Sequence, residues 1–142
     1  MSEGSYVPIW DSDQAGPVEV GIDVIEIDRI QQVLDRHGER FLLRVYTERE
    51  RERYGARVQE LAARFAAKEA TMKALGTGIR GVRWRDIEVL PNRRGKPIVI
   101  LHETARRRAD LLGMTHFAVS LTHSRGDAIA IVVAARASTE PA

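Results

Sequence analysis

The sequence predicts an α+β fold in which an antiparallel sheet packs against one long helix, with shorter helices beside it. Three observations support this prediction. Apolar residues recur at helical spacing over one long stretch, from Arg57 to Leu75. Two pairs of short apolar segments are each joined by a turn sequence, which is typical of antiparallel hairpins. The chain has 142 residues, enough for one domain with a buried core.

The first half of the chain reads as one strand followed by helices. An apolar strand is predicted over residues 18–24, and the next helix begins at Ile27 and stops at Gly38. Residues 41–46 form a short helical turn. Thr47 and Glu50 match a capping box, so another short helix begins there.

The longest predicted helix has an apolar stripe and a glycine stop. The residues of the stripe are Leu61, Phe65, Met72 and Leu75. Gly76 is placed to cap the C-terminus. Lys68, one residue before Glu69, could be a solvated charge.

The second half consists mainly of strands. Residues 87–90 and 97–101 are predicted strands joined by a turn at 92–95, and residues 117–121 and 128–134 are strands joined by a turn at 123–127. Between the hairpins, residues 103–112 read as a helix closed by Gly113. The domain is therefore expected to span residues 18–135, with a flexible N-terminal extension over 1–17 and a frayed tail over 136–142.

Composition narrows the class of protein. The chain is 44% hydrophobic and 30% charged, as in an ordinary globular domain. It contains no apolar run of about 20 residues, the length that a membrane span needs. It has no cysteine, which excludes disulfides and thiolate metal sites and fits a reducing, cytoplasmic location.

The charge distribution predicts an anionic partner. The net charge is +2, but residues 1–17 carry three acidic residues and no basic one, so the rest of the chain is more basic than this value suggests. A basic body favours phosphates, nucleic acid or an acidic protein as ligand. The arginine runs, such as 106–108, also fit solvated helix faces. Nucleic acid is the less favoured partner, because the few aromatic residues are not interleaved with the basic runs.

Asp23 is a candidate site residue with two interpretations. At the end of a strand and before a helix, an aspartate is typically an N-cap. It could instead reach a metal ion from the rigid end of the strand. Gly21, two residues earlier, favours the second interpretation because it leaves one side of the strand open.

Glu69 and Lys73 lie four residues apart and therefore project from the same face of the long helix. Such a pair is commonly a surface ion pair that stabilises the helix. A carboxylate beside an ammonium can also hold Mg²⁺ and phosphate together, which suits chemistry on a phosphate ester.

Two further segments carry polar groups suited to phosphate. Gly76, Thr77 and Gly78 either end the helix in a simple turn or expose backbone amides to a phosphate. His123, flanked by hydroxyl residues, either belongs to a polar hairpin turn or donates to a phosphate. The four histidines lack the spacing of zinc ligands, and no G-x-S-x-G nucleophile elbow is present.

Six segments, in this order and spacing, together resemble holo-[acyl-carrier-protein] synthase, the small bacterial class of 4′-phosphopantetheinyl transferase. They lie within residues 18–135 and comprise residues 21–30, 64–70, 73–78, 86–89, 95–97 and 120–124. The resemblance implies the phosphopantetheinyl transferase fold. It also implies Mg²⁺-dependent transfer of 4′-phosphopantetheine from coenzyme A to a serine of apo acyl carrier protein, with release of adenosine 3′,5′-bisphosphate.

The resemblance also implies a role for each candidate residue. Asp23 and Glu69 match the metal ligands of the family, and Glu69 and Lys73 match its catalytic residues. Arg29 matches an arginine of the first helix that meets the acidic carrier protein. The residues that match the coenzyme site are Arg64, Lys73, Gly76, Thr77, Gly78, Pro97 and His123. Either Glu69 or a metal-bound water accepts the proton of the serine, and the resemblance does not choose between them.

Members of the resembled family are generally homotrimers that hold the coenzyme between subunits. A homotrimer is therefore implied here, with Asp23 and Glu69 on one chain and parts of the nucleotide pocket on another. The acidic extension departs from the compact family chain. Ile25, two residues after Asp23, leaves no third carboxylate of the kind found in the larger two-lobed transferases, which favours the small trimeric class.

Overall fold

The structure is a computed structural model that describes residues 16–137. The predicted terminal segments are 1–17 and 136–142. Most of each segment, namely residues 1–15 and 138–142, therefore lies outside the described residues. Four residues assigned to those segments are described, namely 16, 17, 136 and 137. The guanidinium of Arg136 donates to the carbonyl of Gly16, and its backbone amide donates to the carbonyl of Pro17 at 2.9 Å. The division of the chain at 17/18 and 135/136 stays a prediction.

The elements follow the predicted order, with strand ends extended by a few residues. They are β1 (Val18–Glu26), α1 (Ile27–His37), α2 (Glu39–Val45), α3 (Glu48–Tyr54), α4 (Val58–Ala74), β2 (Ile87–Pro91), β3 (Pro97–Leu101), α5 (Glu103–Leu112), β4 (Met114–His123) and β5 (Asp127–Arg136). A 3₁₀ turn, Trp84–Asp86, precedes β2 and was not predicted. Within residues 16–137, every helix is too short or too polar to cross a lipid bilayer.

The strands form two antiparallel sheets, which confirms the α+β class. One sheet has the order β1-β5-β4, and the other is the β2–β3 hairpin. The predicted hairpin of β4 and β5 is present, and β1 adds to the far edge of β5, with Asp23 opposite Ala130. The single predicted sheet is thus divided, while its packing against the long helix is as expected.

Helix α4 lies across one face of the three-stranded sheet and is buried almost all round. Its small side chains allow close packing, and Ala62, Ala66 and Ala70 are fully buried. At its C-terminus, Thr77 donates its amide to Met72 O at 3.0 Å and Gly76 donates to Lys73 O at 3.0 Å. With Gly76 at φ +68°, these bonds form a Schellman motif, as predicted for this glycine.

The interpretation of Lys68 as a solvated charge is wrong. Its side chain is fully buried, and its Nζ lies 2.8 Å from Glu50 Oε1. It also donates to the carbonyls of Trp84 and Ile87. Glu50 is the last residue of the predicted capping box, which is present, and its other oxygen accepts from the amide of Val89 at 2.9 Å. This buried pair therefore ties α3, α4 and the start of β2 together.

The face of the three-stranded sheet that points away from α4 is apolar and exposed. Because side chains alternate along a strand, the residues between the buried ones of β1 all lie on this face, and those of β5 adjoin them. The exposed residues are Val18, Val20, Ile22, Val24, Ile131 and Val133. A contiguous apolar patch of this kind typically marks an interaction surface.

Candidate active site

Gly21 allows β1 to approach α4 unusually closely. A Cβ atom at this position would lie 1.8 Å from the carbonyl oxygen of Ala70 and 2.9 Å from the amide nitrogen of Ala74. Any side chain would therefore push the helix away from the strand. The space that this glycine leaves beside β1 is filled by α4, which brings the carboxylates of the two elements together.

Asp23 lies within β1, which continues to Glu26, so the N-cap interpretation is wrong. The N-cap of α1 is Glu26, and its side chain makes no capping hydrogen bond. Asp23 shares the α4-facing side of the strand with Gly21 and is buried. Its Oδ1 accepts from Lys73, whereas its buried Oδ2 has no hydrogen-bond partner within residues 16–137.

Glu69 of α4 lies within hydrogen-bonding reach of Asp23. Burial, as the largest cause, and the neighbouring carboxyl group of Asp23 together raise the pKa of Glu69 to about 7. Lys73 and Arg29 act in the opposite direction by favouring the ionised form. Two carboxyl groups that cannot easily ionise together therefore share this site, although about 46 positions of sequence separate them.

Lys73 contacts the strand. Its Nζ lies 3.2 Å from Asp23 Oδ1 and donates to the carbonyl of Ile22 at 2.8 Å. An exposed helix-stabilising pair with Glu69 would not require either contact. The side chain of Lys73 is still 55% exposed, so its charge remains open to a ligand.

The donor set fits a divalent cation that prefers oxygen. Two adjacent carboxyl groups, one with a buried oxygen lacking a partner, are the groups that Mg²⁺ favours. Among the described residues, no group of three or more Asp, Glu, His or Cys side chains is arranged to hold a metal ion. Two carboxylates still suffice for Mg²⁺, which usually keeps several waters and binds substrate phosphate oxygens.

The predicted glycine-punctuated loop follows the C-terminal end of α4, and Gly76 comes after Leu75, the C-cap of the helix. Thr77 is the residue of interest there, because its Oγ1 is buried without a hydrogen-bond partner in the described part of the chain. Gly78 has no neighbouring atom within 4 Å of where its Cβ would be, so one side of the loop is open.

A second group of predicted residues lines a cavity of about 560 Å³ between α4, β4 and the β2–β3 turn. Arg64, Pro97 and His123, three of the residues predicted for the coenzyme site, all line it. Lys96 and Glu60 line it as well. Lys96 lies within the segment 95–97 that carries the family resemblance, whereas the sequence analysis did not identify Glu60.

The surroundings of Arg64 also include a residue that sequence reasoning missed. The guanidinium carbon of Arg64 lies 4.2 Å from the centre of the Tyr54 ring. Its Nη1 donates to Glu60 Oε2 at 2.6 Å, while its Nε is buried without a partner among residues 16–137. A glutamate four residues before an arginine could have pointed to the ion pair. No local signal identifies the contact with Tyr54.

The two groups of residues lie on different sides of α4. Arg64 and Glu69 are five residues apart, which is a rotation of about 140° around a helix. Accordingly, none of Asp23, Glu69 and Lys73 lines the cavity that contains His123. Within one chain, the carboxylate pair and the cavity are therefore separate surfaces.

Arg29 connects the carboxylate pair to the exposed face of α1. Its charge acts on Glu69, and its side chain lines a shallow cavity of about 190 Å³ with Val33, Arg36 and His37. A neighbouring cavity of about 230 Å³ adds Arg40 and Arg44 from α2. The surface next to the carboxylate pair is thus basic with an apolar centre.

The arginine run of α5 is engaged in local contacts. Arg106 and Arg107 pair with acidic residues one turn away on the same helix, at 3.3 Å and 3.8 Å. Arg108 donates to the carbonyl of Leu75 at 2.9 Å, at the end of α4. These contacts match the interpretation of the run as a helix face.

The family model of the 4′-phosphopantetheinyl transferase superfamily matches residues 19–132. A holo-[acyl-carrier-protein] synthase of Herpetosiphon aurantiacus is 52% identical over 120 residues, covering 80% of this chain and 94% of that protein. One of Solibacter usitatus is 48% identical over 120 residues, covering 82% and 96%.

Solved structures give the same result. The holo-[acyl-carrier-protein] synthase of Helicobacter pylori in complex with coenzyme A superposes with a TM-score of 0.75 at 30% identity, covering 82% of this chain and 99% of that one. A Bacillus anthracis synthase in complex with CoA (3′,5′-ADP) gives 0.70 at 38% identity, covering 86% and 100%. The chain therefore belongs to the 4′-phosphopantetheinyl transferase superfamily, among whose members it is similar to the holo-[acyl-carrier-protein] synthases.

Proposed function

We propose that this protein transfers 4′-phosphopantetheine from coenzyme A to a serine of apo acyl carrier protein and releases adenosine 3′,5′-bisphosphate. The observation that carries the proposal is the contact of Asp23 with Glu69 and Lys73 across the β1–α4 interface. Membership of the transferase superfamily and the names of the relatives support the reaction class. Relatives solved with coenzyme A support the donor.

Asp23 and Glu69 are the residues that would hold Mg²⁺. Both must be ionised to bind it, so metal binding and protonation of Glu69 compete. Held there, the ion would supply positive charge to the diphosphate of coenzyme A. Lys73 supplies a further positive charge at the same edge of α4, held in place by Asp23 and the carbonyl of Ile22.

In the reaction, the serine oxygen of the carrier forms a bond to the β-phosphorus of coenzyme A. The bond from that phosphorus to the bridging oxygen breaks, and adenosine 3′,5′-bisphosphate leaves with the electron pair. We assign the serine proton to the ionised carboxylate of Glu69, which lies beside Asp23 at this site. Phosphoryl-type transfer otherwise needs positioning and charge neutralisation rather than covalent help.

The cavity lined by Arg64, Lys96 and His123 is proposed to bind the nucleotide end of coenzyme A. It offers three cationic or donor groups to phosphate, while Pro97 and Leu121 supply apolar surface for a base. The buried Nε of Arg64, without a partner in the described chain, is a donor available to such a ligand.

The carrier protein is proposed to dock on the basic face of α1 and α2. Arg29 is its central residue because it is both near Glu69 and on the exposed side of the helix. An acidic partner would be steered to this surface and would present its serine beside the carboxylate pair.

We further propose that the protein is a homotrimer. The exposed apolar face of the β1-β5-β4 sheet would be covered by neighbouring copies, since a contiguous apolar patch is unfavourable in water. Such an assembly could bring the carboxylate pair of one copy against the nucleotide cavity of the next, which are separate surfaces within one chain. A cytoplasmic location remains part of this proposal.

Incubation with apo acyl carrier protein, coenzyme A and Mg²⁺ tests the proposal. The carrier should gain the mass of phosphopantetheine, and a chelator should prevent the gain. Glu69→Gln should abolish the transfer, because it removes a metal ligand and the base.

Arg107→Ala is the matched control, since Arg107 lies on α5 in a local ion pair. This variant should retain nearly full activity. Loss of transfer with Arg107→Ala and its retention with Glu69→Gln would overturn the site assignment. Salt-sensitive nucleic-acid binding without any mass gain would favour a binding module instead.

A further inference from the structure

Glu60 occupies an unexpected position at the proposed nucleotide cavity. It is the one carboxylate among the described residues that line this cavity, where Arg64, Lys96 and His123 would attract an anion. Its Oε2 accepts from Arg64 Nη1 at 2.6 Å, and its side chain is one-third exposed. A negative charge at an anion site should weaken binding, so its presence needs a physical explanation.

Arg64 is restrained from two directions. The guanidinium carbon of Arg64 lies 4.2 Å from the centre of the Tyr54 ring, and Tyr54 is itself 3% exposed. A cation–π contact uses the face of the guanidinium, so it does not consume the N–H donors. Glu60 takes one of those donors, while the Nε–H remains buried without a partner within residues 16–137.

We infer that Glu60 is a built-in competitor for the phosphate of the bound nucleotide, and that Tyr54 is the positioning residue that keeps Arg64 in place when the competitor is displaced. This inference rests on the proposed function. Before binding, Glu60 neutralises Arg64 in a partly buried cavity. On binding, a phosphate group takes over the donors of Arg64, and Glu60 swings toward solvent.

Competition by Glu60 has a use in a transferase that must release its nucleotide product. A cavity with three uncompensated cationic groups would hold adenosine 3′,5′-bisphosphate strongly and slow turnover. A carboxylate ready to re-form the ion pair lowers the affinity for product as well as for coenzyme A. The expected signature is a change in nucleotide affinity and KM rather than a loss of chemistry.

Calorimetric titration with adenosine 3′,5′-bisphosphate tests the inference directly. Glu60→Gln keeps the size of the side chain but removes the charge, so the dissociation constant should fall by about three- to tenfold, most strongly at low salt. In the transfer assay, the same variant should lower the KM for coenzyme A and should slow product release. An unchanged or weaker affinity for the nucleotide would overturn the role of Glu60.

Glu103→Gln is the matched control. Glu103 forms the same kind of pair with an arginine four residues later, but on α5 and outside the cavity. It makes the same change in net charge, and the nucleotide affinity should stay within about twofold of the wild-type value. An equal gain in both variants would mean that net charge alone is responsible, which overturns the inference.

Two variants test Tyr54. Tyr54→Phe keeps the stacked ring and should bind adenosine 3′,5′-bisphosphate like the wild type, whereas Tyr54→Leu removes the stack and should weaken binding about tenfold. Equal affinities for both variants would overturn the positioning role. If Tyr54→Leu does not fold, Tyr54→Met takes its place as the variant without a ring, with the same expected loss of affinity.

The inference and the proposed function can fail separately. Wild-type protein that modifies the carrier, with a nucleotide affinity indifferent to Glu60→Gln, would overturn only the inference. Tighter nucleotide binding by Glu60→Gln, in a protein that never modifies the carrier, would support the competition and overturn the transferase assignment.

Discussion

The carbonyl oxygen of Ala70 lies only 1.8 Å from the point where position 21 would carry a Cβ atom, so α4 and β1 touch backbone to backbone at Gly21. The contact sets the distance between the two elements that carry the candidate active site. Asp23 is two residues further along the strand, and Glu69 precedes Ala70 on the helix. The spacing of the carboxylate pair thus depends on the absence of a side chain.

Gly21→Ala should therefore disrupt the site without touching any proposed catalytic group. The added methyl group must displace α4 from β1, and overpacking of this kind costs about 1–3 kcal/mol of stability. The transfer rate should fall more steeply than the stability, because the shift separates Glu69 from Asp23. Denaturant unfolding and the carrier-modification assay would measure the two effects.

Gly126→Ala provides the comparison. Nothing lies within 4 Å of the corresponding Cβ position at Gly126, in the turn between β4 and β5. Stability should change by about 0.5 kcal/mol or less, and the transfer rate should be unaffected. A Gly21→Ala protein as stable and active as this control would show that the close contact is not required.

Elements with a local signal were predictable from the sequence. The capping box of Thr47 and Glu50 is present. The turn between β2 and β3 is held by Asn92, whose Oδ1 accepts from the amides of Arg94 and Lys96 at 2.9 and 3.0 Å. Such side chain-to-backbone hydrogen bonds join residues a few positions apart, so the local sequence is enough to predict them.

Features that depend on distant partners were not predictable from local pattern. The strand β1 continues past Asp23 because every residue to Glu26 pairs with β5, and this pairing removed the N-cap interpretation. Lys68 is buried because Glu50 and two carbonyls meet it from other elements. The family resemblance predicted that Asp23 and Glu69 act together. The physical reason that they meet, the close contact of β1 and α4 at Gly21, comes only from the structure.

Lys68→Met should be among the most destabilising single substitutions in the chain. Burial lowers the pKa of Lys68, while Glu50 opposes this by favouring the charged form. Removal of the ammonium leaves a buried carboxylate without its partner, which costs about 3–5 kcal/mol. Denaturant unfolding measures the change.

A double-mutant cycle separates this effect from lost packing. Glu50→Gln in the Lys68→Met background removes the uncompensated charge, so the double variant should recover part of the lost stability. A double variant less stable than Lys68→Met by the full cost of Glu50→Gln alone would show that the two groups do not interact.

The raised pKa of Glu69 predicts an unusual pH dependence in metal-free protein. Its pKa lies at about 7 in the fold against 4.5 for an ordinary glutamate, so the folded chain binds more protons between these values than the unfolded chain. This contribution to stability is complete below pH 4.5 and is lost as the pH rises toward about 7. Thermal unfolding across this range, in chelator, would show it.

Mg²⁺ should reverse this trend, because it binds only the ionised pair. The gain in melting temperature on adding Mg²⁺ should be larger at pH 8 than at pH 5.5. In Glu69→Gln the side chain at position 69 is uncharged at every pH of the experiment. This variant should therefore lack both the stabilisation by Mg²⁺ and this part of the pH dependence. Identical pH profiles for Glu69→Gln and the wild type would contradict the shared-carboxylate geometry.

Arg29→Glu should impair use of the carrier protein more than use of coenzyme A. Reversal of one charge on the basic face of α1 weakens an electrostatic encounter, so the KM for the carrier should rise about tenfold or more at low salt. Added salt should narrow the difference from the wild type. Arg107→Glu, on α5, should leave the KM for the carrier unchanged, and an equal rise in both variants would argue against a local docking surface.

The exposed sheet face should be the contact between subunits. Val20 is 55% exposed at the centre of this apolar patch, opposite Val133, so Val20→Glu would place a charge in the interface of the proposed trimer. Light scattering should show a trimer for the wild type and a monomer for Val20→Glu. The variant should also lose transfer activity, because the carboxylate pair and the nucleotide cavity no longer meet.

Leu111→Glu tests the alternative of a general response to an added charge, since Leu111 is 73% exposed on α5 and outside the sheet. It should remain trimeric and active. A wild-type monomer with full activity would show that one chain completes the site alone.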